Sequence, residues 1–407
     1  MKIAIYSDNF YPEMSGISDS IILLARELAK RGDKVNFYVP RYSIKNFLIT
    51  KLQPGEPEFA ENIEVFRLPS LPYPLAPTGQ GRFTLPVLSS WRHIKRFDPD
   101  IIYTQGYFST GIEALLVSRL LKKPLVGTNH TPIREFLRYS PIHSRWAEKL
   151  ILKYVSWYYN RCRWITAPSR AILTEMREHG FIKSGMSLSN PIPLADFTPV
   201  GQPAKKELKK QFGLSSKTIL YTGRLAEEKH IDVIIRAVAV VKRTMPDITM
   251  ASTGHGNAES GLKKLVKTLD LEKNVFFFGY VEPKTFAQLY QASDIFTVMS
   301  TAETECISMM QAMATGIPVI GANAGGLPEY ITAQCGYVIE PGDCEALAQK
   351  IIYLFDHPRE IETLGQGGLE HVKDFSAGGI AARWQELFCH EITSAGTQPG
   401  TVVSGGA

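Results

Sequence analysis

The chain has 407 residues, of which 44% are hydrophobic and 21% are charged, and its formal net charge is +5. This composition is typical of a globular protein and excludes a disordered or fibrous chain, while the length exceeds what one hydrophobic core usually supports. No apolar run is long enough to cross a membrane, and the five cysteines lack the spacing of a zinc site or a disulfide framework. We therefore expect a cytoplasmic protein of two domains.

The first part of the chain alternates short apolar runs with helical patterns. Residues 3–6 predict a buried first strand rather than a signal peptide, and residues 21–30 predict a helix. Further strands are predicted at residues 35–39, 101–104, 125–128 and 164–167. Alternation of this kind indicates a parallel sheet covered by helices.

The second part repeats the scheme, with a helix predicted at residues 232–243. Its strands are predicted at residues 218–221, 249–252, 275–278, 295–299 and 317–321. The fold class is therefore α/β, with two Rossmann-like, doubly wound parallel-sheet domains.

The turn-rich residues 189–193 and the polar stretch 199–210 are typical of a linker. The domain organisation that follows has four parts. They are an acceptor-binding domain at 1–190, a donor-binding domain at 191–375, a helix at 376–391 packing back toward the first domain, and a disordered tail at 392–407.

Charge is distributed unevenly between the two halves. Up to residue 190 there are 26 Lys and Arg against 16 Asp and Glu, and beyond it there are 19 against 24, which gives +10 and −5. The basic half indicates an anionic partner, such as a membrane surface, a phosphorylated acceptor or nucleic acid, or simply a solvated basic surface.

The segment 68–86 is apolar, aromatic and interrupted by prolines. Proline disfavours a central strand and a helix interior, so we expect an extended surface loop. Its apolar side chains could be covered by a partner or by the second domain, or the segment could itself cover the sheet.

The first chemical motif follows the strand at 218–221. Gly223 allows the backbone to approach a ligand, Arg224 offers a planar fork of donors, and Lys229 offers a point charge. This combination suits two phosphates, although a surface loop would also account for it.

The second motif begins at Glu303 after the strand at 295–299 and runs into a helix. The amides of Ile307 and Ser308 at the helix start favour an anion. Gln311 lies eight residues beyond Glu303, roughly 12 Å if all were helical, which is about the span of a nucleotide sugar.

Glycine-rich turns also follow strands at Gly16 and at Gly325 with Gly326. Each is a candidate phosphate loop, although such turns are often only turn geometry.

Taken together, these motifs resemble the signature set of glycosyltransferase family 4, retaining enzymes of GT-B fold. The resemblance implies that Arg224 and Lys229 stabilise the departing diphosphate, with no metal ion and no cofactor. It also implies that Glu303 binds the donor sugar and that Gln311 contacts the ribose. By the same resemblance, Gly16, Ile307 and Ser308 approach the phosphates.

The resemblance also assigns His130, which follows the strand at 125–128, to contact with the reacting sugar. Two residues depart from the pattern of the family. Gln311 stands where Glu is usual and His230 stands where Gly is usual. The amide of Gln311 can still accept and donate hydrogen bonds with ribose hydroxyls, so we expect this departure to affect nucleotide binding rather than sugar transfer.

The stretch 67–75 resembles the first domain of family members that glycosylate diacylglycerol or related lipids, including sulfolipid synthases. A UDP-linked hexose and a lipid acceptor are therefore expected. The basic, aromatic run 134–164 could form an interfacial helix on anionic lipid, or an ordinary amphipathic helix. We accordingly expect a peripheral protein at the inner face of the cell membrane.

Other classes of function were weighed against this one. Asp98 and Asp100 form a D-x-D string, but they precede a strand and lie in a turn. Gly254 and Gly256 form only an incomplete dinucleotide motif and no P-loop motif occurs, which argues against dehydrogenases and ATPases. No nucleic-acid partner is indicated. A soluble acceptor, a sugar-nucleotide epimerase and an inactive GT-B lipid-binding protein remain alternatives.

Overall fold

The computed structural model describes residues 1–13, 16–50, 53–73, 80–85, 88–130 and 145–396. Its contacts divide the chain into two compact units. The first consists of Met1–Pro168, Ile172–Pro191 and Ala377–Ala407, and the second of Ser169–Ala171 and Ile192–Ser376.

The first unit is built on a parallel sheet with the strand order β3-β2-β1-β6-β7-β8-β9. These strands are β1 (Lys2–Tyr6), β2 (Lys34–Pro40), β3 (Ile63–Leu68), β6 (Ile101–Thr104), β7 (Leu125–Thr128), β8 (Trp164–Ala167) and β9 (Gly185–Ser187). A separate antiparallel ribbon joins β4 (Ser70–Pro72) to β5 (Arg82–Thr84).

Helices of the first unit follow the strands of its sheet. They are α1 (Gly16–Lys30), α2 (Ile44–Thr50), α3 (Trp91–Phe97), α4 (Ser109–Leu121), α5 (Arg145–Tyr159), α6 (Arg170–Glu178) and the C-terminal α15 (Ala377–Gly396). The central strands are fully buried because helices cover both faces of the sheet, which is why they read as continuous apolar runs.

The second unit has a six-stranded parallel sheet in the order β12-β11-β10-β13-β14-β15. Its strands are β10 (Thr218–Thr222), β11 (Thr249–Thr253), β12 (Val275–Gly279), β13 (Ile295–Val298), β14 (Val319–Ala322) and β15 (Gly336–Ile339). Its helices are α7 (Gln202–Phe212), α8 (Ile231–Lys242), α9 (Glu259–Thr268), α10 (Pro283–Gln291), α11 (Ile307–Ala314), α12 (Leu327–Tyr330), α13 (Cys344–Asp356) and α14 (Pro358–Val372).

Both strand orders reverse direction next to the first strand of the unit. The reversal lies between β1 and β6 in the first sheet and between β10 and β13 in the second. At such a switch point the flanking loops diverge to opposite sides, which leaves a crevice at the carboxyl ends of the strands. This topology fixes where a ligand of each unit would bind.

Three local expectations are corrected by the structure. The polar stretch that was expected to be a linker forms most of α7, with Pro203 in its first turn and Gly213 as a left-handed C-cap. Residues 392–396, expected to be disordered, continue α15, while 397–407 lie outside the described residues. The proline-interrupted segment is not a simple loop, because part of it forms the β4–β5 ribbon.

Helix α15 packs within the first unit through one apolar stripe. Ile380, Trp384 and Phe388 are spaced four residues apart and are buried. The ring of Trp384 lies 4.6 Å from that of Tyr103 on β6, measured between centroids. No helix in the described part of the chain is long and apolar enough to span a bilayer.

We expect Trp384→Ala to destabilise the first unit by about 3–5 kcal/mol, because it removes a buried indole and leaves a cavity against Tyr103. Urea unfolding followed by circular dichroism measures the change. Glu386→Ala, at an exposed position of the same helix, is the matched control and should leave the midpoint unchanged. Equal midpoints for the two variants would show that α15 contributes little to the core.

Candidate donor and acceptor sites

The switch point of the second unit carries the main cluster of predicted site residues. Strand β10 leads into Gly223, Arg224 and Lys229, and the neighbouring β13 leads into Glu303 and then α11. Because β10 and β13 are hydrogen-bonded neighbours, their carboxyl ends bring the two motifs together.

Two ion pairs tie the charged groups of this cluster. Lys229 Nζ lies 2.7 Å from Glu303 Oε1, and both side chains are only about 15% exposed. Arg224 Nη2 lies 2.7 Å from Glu228 Oε1, but the Arg224 side chain is 34% exposed. Both cations are therefore paired within this cluster, and the side chain of Arg224 is the more exposed of the two.

Glycines at β-strand ends allow the loop after β10 to adopt its path. Gly223 has a φ of +146°. A Cβ on Gly254 would come within 2.0 Å of the Gly223 carbonyl oxygen, and one on Gly256 within 2.0 Å of the Leu225 carbonyl oxygen. In the sequence, Gly254 and Gly256 form only an incomplete dinucleotide motif, and their supporting role is evident only from the structure.

The Gly325–Gly326 turn supports the Glu303 loop in the same way. Gly325 has a φ of +56°, and a Cβ there would lie 2.4 Å from the Glu303 carbonyl oxygen. The Gly326 amide donates to that same oxygen at 2.8 Å. The turn therefore fixes the backbone of Glu303, a function that the phosphate-loop expectation did not include.

Helix α11 begins at Ile307, so Glu303 lies in the preceding loop and only the second half of the motif is helical. The N-cap is Cys306, which is buried, and this burial raises the pKa of its thiol. The thiol is therefore neutral and unsuited to nucleophilic chemistry. Ile307 and Ser308 are partly buried at the positive end of the helix.

Gln311 lies one turn further along α11 and is held by a tyrosine. Tyr290 Oη donates to Gln311 Oε1 at 3.1 Å and is also 2.6 Å from Thr222 Oγ1. The amide orientation is thereby set, with its oxygen engaged by Tyr290. Neither Tyr290 nor Thr222 was singled out by sequence, because the contact joins elements 68 residues apart.

His230, the second departure from the family pattern, ends the short 3-10 turn Glu227–Lys229 with a φ of +48°. Its left-handed conformation explains why glycine suits this position. The His230 ring instead reaches Thr301, with Nε2 3.2 Å from Oγ1, so it joins the two loops of the site.

The first unit places its candidate residues at the carboxyl edge of its own sheet. Gly16 is the first residue of α1, and His130 follows β7. His130 Nε2 contacts the Gln105 side-chain oxygen. Burial lowers the pKa of His130 to about 4, so its ring is neutral at neutral pH.

Asp8, which the sequence analysis did not select, follows β1 at the switch point of the first unit. Its Oδ1 accepts hydrogen bonds from the Thr110 amide at 3.0 Å and the Ser109 hydroxyl at 2.7 Å. It therefore fixes the start of α4 beside Gln105. Asp98 and Asp100 lie in the expected turn, where Asp100 accepts from the Lys2 amide.

Among the described residues no group of three or more His, Cys, Asp or Glu side chains is arranged to hold a metal ion.

Comparisons with known proteins identify the class that this fold and these motifs define. Residues 204–371 match the family model described as glycosyl transferases group 1, and residues 14–188 match the model described as Glycosyltransferase Family 4. The expected GT-B fold is confirmed by solved structures, among them Anabaena HepE in complex with UDP, with a TM-score of 0.76 over 96% of this chain and 100% of that one at 20% identity.

The chain belongs to this glycosyltransferase family and is an enzyme of the transferase class. It is 27% identical over 325 residues to the alpha-monoglucosyldiacylglycerol synthase of Streptococcus pneumoniae, covering 79% of this chain and 70% of that protein. It is 26% identical over 402 residues to the synthase of the same name from Acholeplasma laidlawii, covering 95% and 96%. The roles of the individual site residues remain predictions.

We expect Gly325→Ala to lower turnover at least tenfold, because the added Cβ would displace the Glu303 backbone. Steady-state kinetics measures this effect. Gly213→Ala is the matched control, since Gly213 also has a positive φ, +67°, but open space around it. The control variant should lose about 1 kcal/mol of folding stability, because alanine is strained in the left-handed conformation, and its turnover should stay unchanged. Equal losses in both variants would assign the effect to backbone strain instead.

Proposed function

We propose that the protein is a retaining, metal-independent glycosyltransferase that transfers a hexose from a UDP-linked sugar to a lipid acceptor such as diacylglycerol. The observation that carries this proposal is the convergence of Arg224, Lys229 and the amino end of α11 at one switch point. The leaving group of a nucleotide sugar is a diphosphate, and these are the groups that bind one.

The charged groups act on the bond between the sugar and the diphosphate. As that bond breaks, negative charge grows on the phosphate oxygens, and preorganised donors stabilise this charge more than they stabilise the bound substrate. Lys229, held by Glu303, supplies a fixed cation. The guanidinium of Arg224, which pairs with Glu228 in the structure, donates hydrogen bonds to the phosphates when the donor binds. Together they do the work that a metal ion does in other glycosyltransferases.

The two ends of the donor are bound by residues on either side of the phosphates. Glu303 accepts hydrogen bonds from hydroxyls of the sugar, and Gln311 uses its amide hydrogens on the ribose because Tyr290 engages its oxygen. The resemblance assigns His130, whose ring is neutral at neutral pH, to contact with the reacting sugar. The acceptor hydroxyl attacks from the face that the diphosphate leaves: its oxygen bonds to the anomeric carbon as the bond to the diphosphate breaks, and its proton passes to the departing phosphate oxygen. The configuration is therefore retained.

A lipid acceptor is supported by the surface of the first unit and by the relatives. The net charge of +10 up to residue 190 favours an anionic membrane surface. Helix α5 buries Leu152 and Tyr158 in the core but exposes Trp146, Leu150 and Trp157 beside lysines 149 and 153. An aromatic and basic stripe of this kind suits the interface of a bilayer. The earlier residues of the run, 134–144, lie outside the described part.

We expect Lys229→Ala to lower kcat by roughly a hundredfold or more, because it removes charge stabilisation of the leaving diphosphate. Steady-state kinetics with a UDP-sugar measures this loss. Lys263→Ala, an exposed lysine of the same unit, is the control and should leave kcat unchanged. Unfolding curves check that the variant is folded. A folded Lys229→Ala protein with wild-type kcat would contradict the proposed role.

The function itself is tested by product analysis. The protein is incubated in EDTA with UDP-linked and GDP-linked hexoses, and with diacylglycerol, a soluble sugar or a polyol as acceptor. Mass spectrometry should detect a glycosylated lipid formed from a UDP-sugar. A product only on a soluble acceptor would overturn the lipid proposal, release of an epimerised nucleotide sugar without acceptor would favour an epimerase, and binding without turnover would favour an inactive protein. A requirement for added Mg²⁺ or Mn²⁺ would contradict metal independence.

A further inference from the structure

The apolar side chains that the molecule exposes are concentrated in the first unit. Of the 17 large apolar side chains that are strongly exposed in the described part of the chain, 14 lie in that unit. Seven of these belong to α2 and to the β4–β5 ribbon with its flanking residues. Isolated exposed leucines need no explanation, but a cluster on adjoining elements indicates an interaction surface.

The β4–β5 ribbon exposes its apolar face, whereas an ordinary amphipathic sheet buries that face. Leu71 and Phe83 are directly opposite in its register and are 57% and 40% exposed. Tyr73 and Leu85 lie two residues further on each strand, so they share this face, and both are exposed as well. The apolar face of the ribbon therefore points to solvent.

The opposite face of the ribbon carries three polar residues that are buried or half-buried, Ser70, Arg82 and Thr84, while Pro72 on that face is exposed. Thr84 is fully buried, and Ser70 Oγ donates to the Arg41 carbonyl oxygen at 2.6 Å. Arg82 Nη2 donates to the Ser70 carbonyl oxygen at 2.6 Å. A one-residue shift in register would bury the apolar face, and these hydrogen bonds oppose that shift. The outward apolar face is therefore specified by the fold.

Helix α2 extends the same surface. Ile44, Leu48 and Ile49 are 50–69% exposed on it. Its Asn46 is joined to Gln80, which lies just before β5. Asn46 Nδ2 donates to the Gln80 carbonyl oxygen at 3.2 Å, and Gln80 Nε2 donates to the Asn46 carbonyl oxygen at 3.0 Å. These two hydrogen bonds hold the helix against the ribbon. We call α2 with Leu71, Tyr73, Phe83 and Leu85 the apolar rim.

The charge around the apolar rim identifies its partner. Residues 34–97 contain nine Lys or Arg against four Glu, which gives a net charge of +5, and one of the cations, Arg67, is paired with Glu56. A second copy of the chain, docked by the same surface, would bring these like charges together. Anionic lipid headgroups would be attracted by them, while the apolar side chains enter the layer below.

The position of the rim relates it to the acceptor. α2 follows the carboxyl end of β2 and the ribbon follows that of β3. His130 and Asp8 follow the carboxyl ends of β7 and β1 in the same parallel sheet. Parallel strands end at one edge, so the rim lies at the edge that carries the candidate acceptor residues.

We propose that the apolar rim inserts into the interfacial layer of an anionic bilayer and turns the acceptor edge of the first unit toward its lipid. This inference rests on the lipid acceptor of the proposed function and specifies the surface that reaches it. Insertion needs no conformational change of the ribbon, because its apolar face is already outward.

The test is co-sedimentation with vesicles of phosphatidylcholine alone or with phosphatidylglycerol added. The wild-type protein should bind the anionic vesicles, and less so in high salt. Leu71→Ser with Phe83→Ser should weaken that binding at least tenfold, and Ile44→Ser with Leu48→Ser should do so independently. The control is Leu120→Ser with Ile182→Ser, which removes side chains that are 55% and 84% exposed elsewhere in the unit and should bind like the wild type.

Turnover on an acceptor dispersed in detergent separates this inference from the proposed function. The rim variants should keep wild-type turnover there, because the donor and acceptor residues are untouched. Wild-type vesicle binding by both rim variants would overturn the rim proposal and leave the lipid acceptor standing. Failure of the wild-type protein to glycosylate any dispersed lipid would overturn the proposed function instead. A dimer that dissociates in the rim variants would assign the surface to a second copy and would also overturn the proposal.

Discussion

The candidate donor site depends on the close approach of four loops around the ends of β10 and β13. Glycines at positions 254 and 256 let one loop press on the backbone of Gly223 and Leu225, and Gly325 does the same for Glu303. The ion pair between Lys229 and Glu303 then joins the two strand ends. A side chain at any of these glycines would push the loops apart. The positions of the charged groups therefore depend on glycines, which have no side chain of their own.

This arrangement explains how a cation can be fixed before a substrate arrives. Lys229 is nearly buried and is neutralised by Glu303, which offsets the cost of desolvating it. Arg224 is more exposed and paired with Glu228. The site therefore combines one nearly buried charge with one that is more accessible to solvent.

The first unit shows the complementary case, in which apolar residues are positioned by polar ones. The reciprocal hydrogen bonds of Asn46 and Gln80, and those of Ser70, hold α2 and the ribbon so that their apolar side chains face outward. These hydrogen bonds are made within the protein, and the apolar side chains of this surface stay exposed in the described part of the unit.

The sequence by itself determined the α/β class, most of the central strands and the family, because buried parallel strands are continuous apolar runs and the motifs at their ends have fixed spacing. It also predicted Arg224, Lys229 and Glu303 as site residues, and the structure brings them together at the ends of β10 and β13. It did not determine that segment 199–210 forms a helix, that Gly254 supports Gly223, or that Tyr290 orients Gln311. Those features depend on contacts between segments that are far apart in the sequence. Only the tertiary structure decides them, because a local sequence pattern does not specify which loops will contact each other. The outward face of the ribbon belongs with them, since alternation gives two faces and packing alone chooses which one is buried.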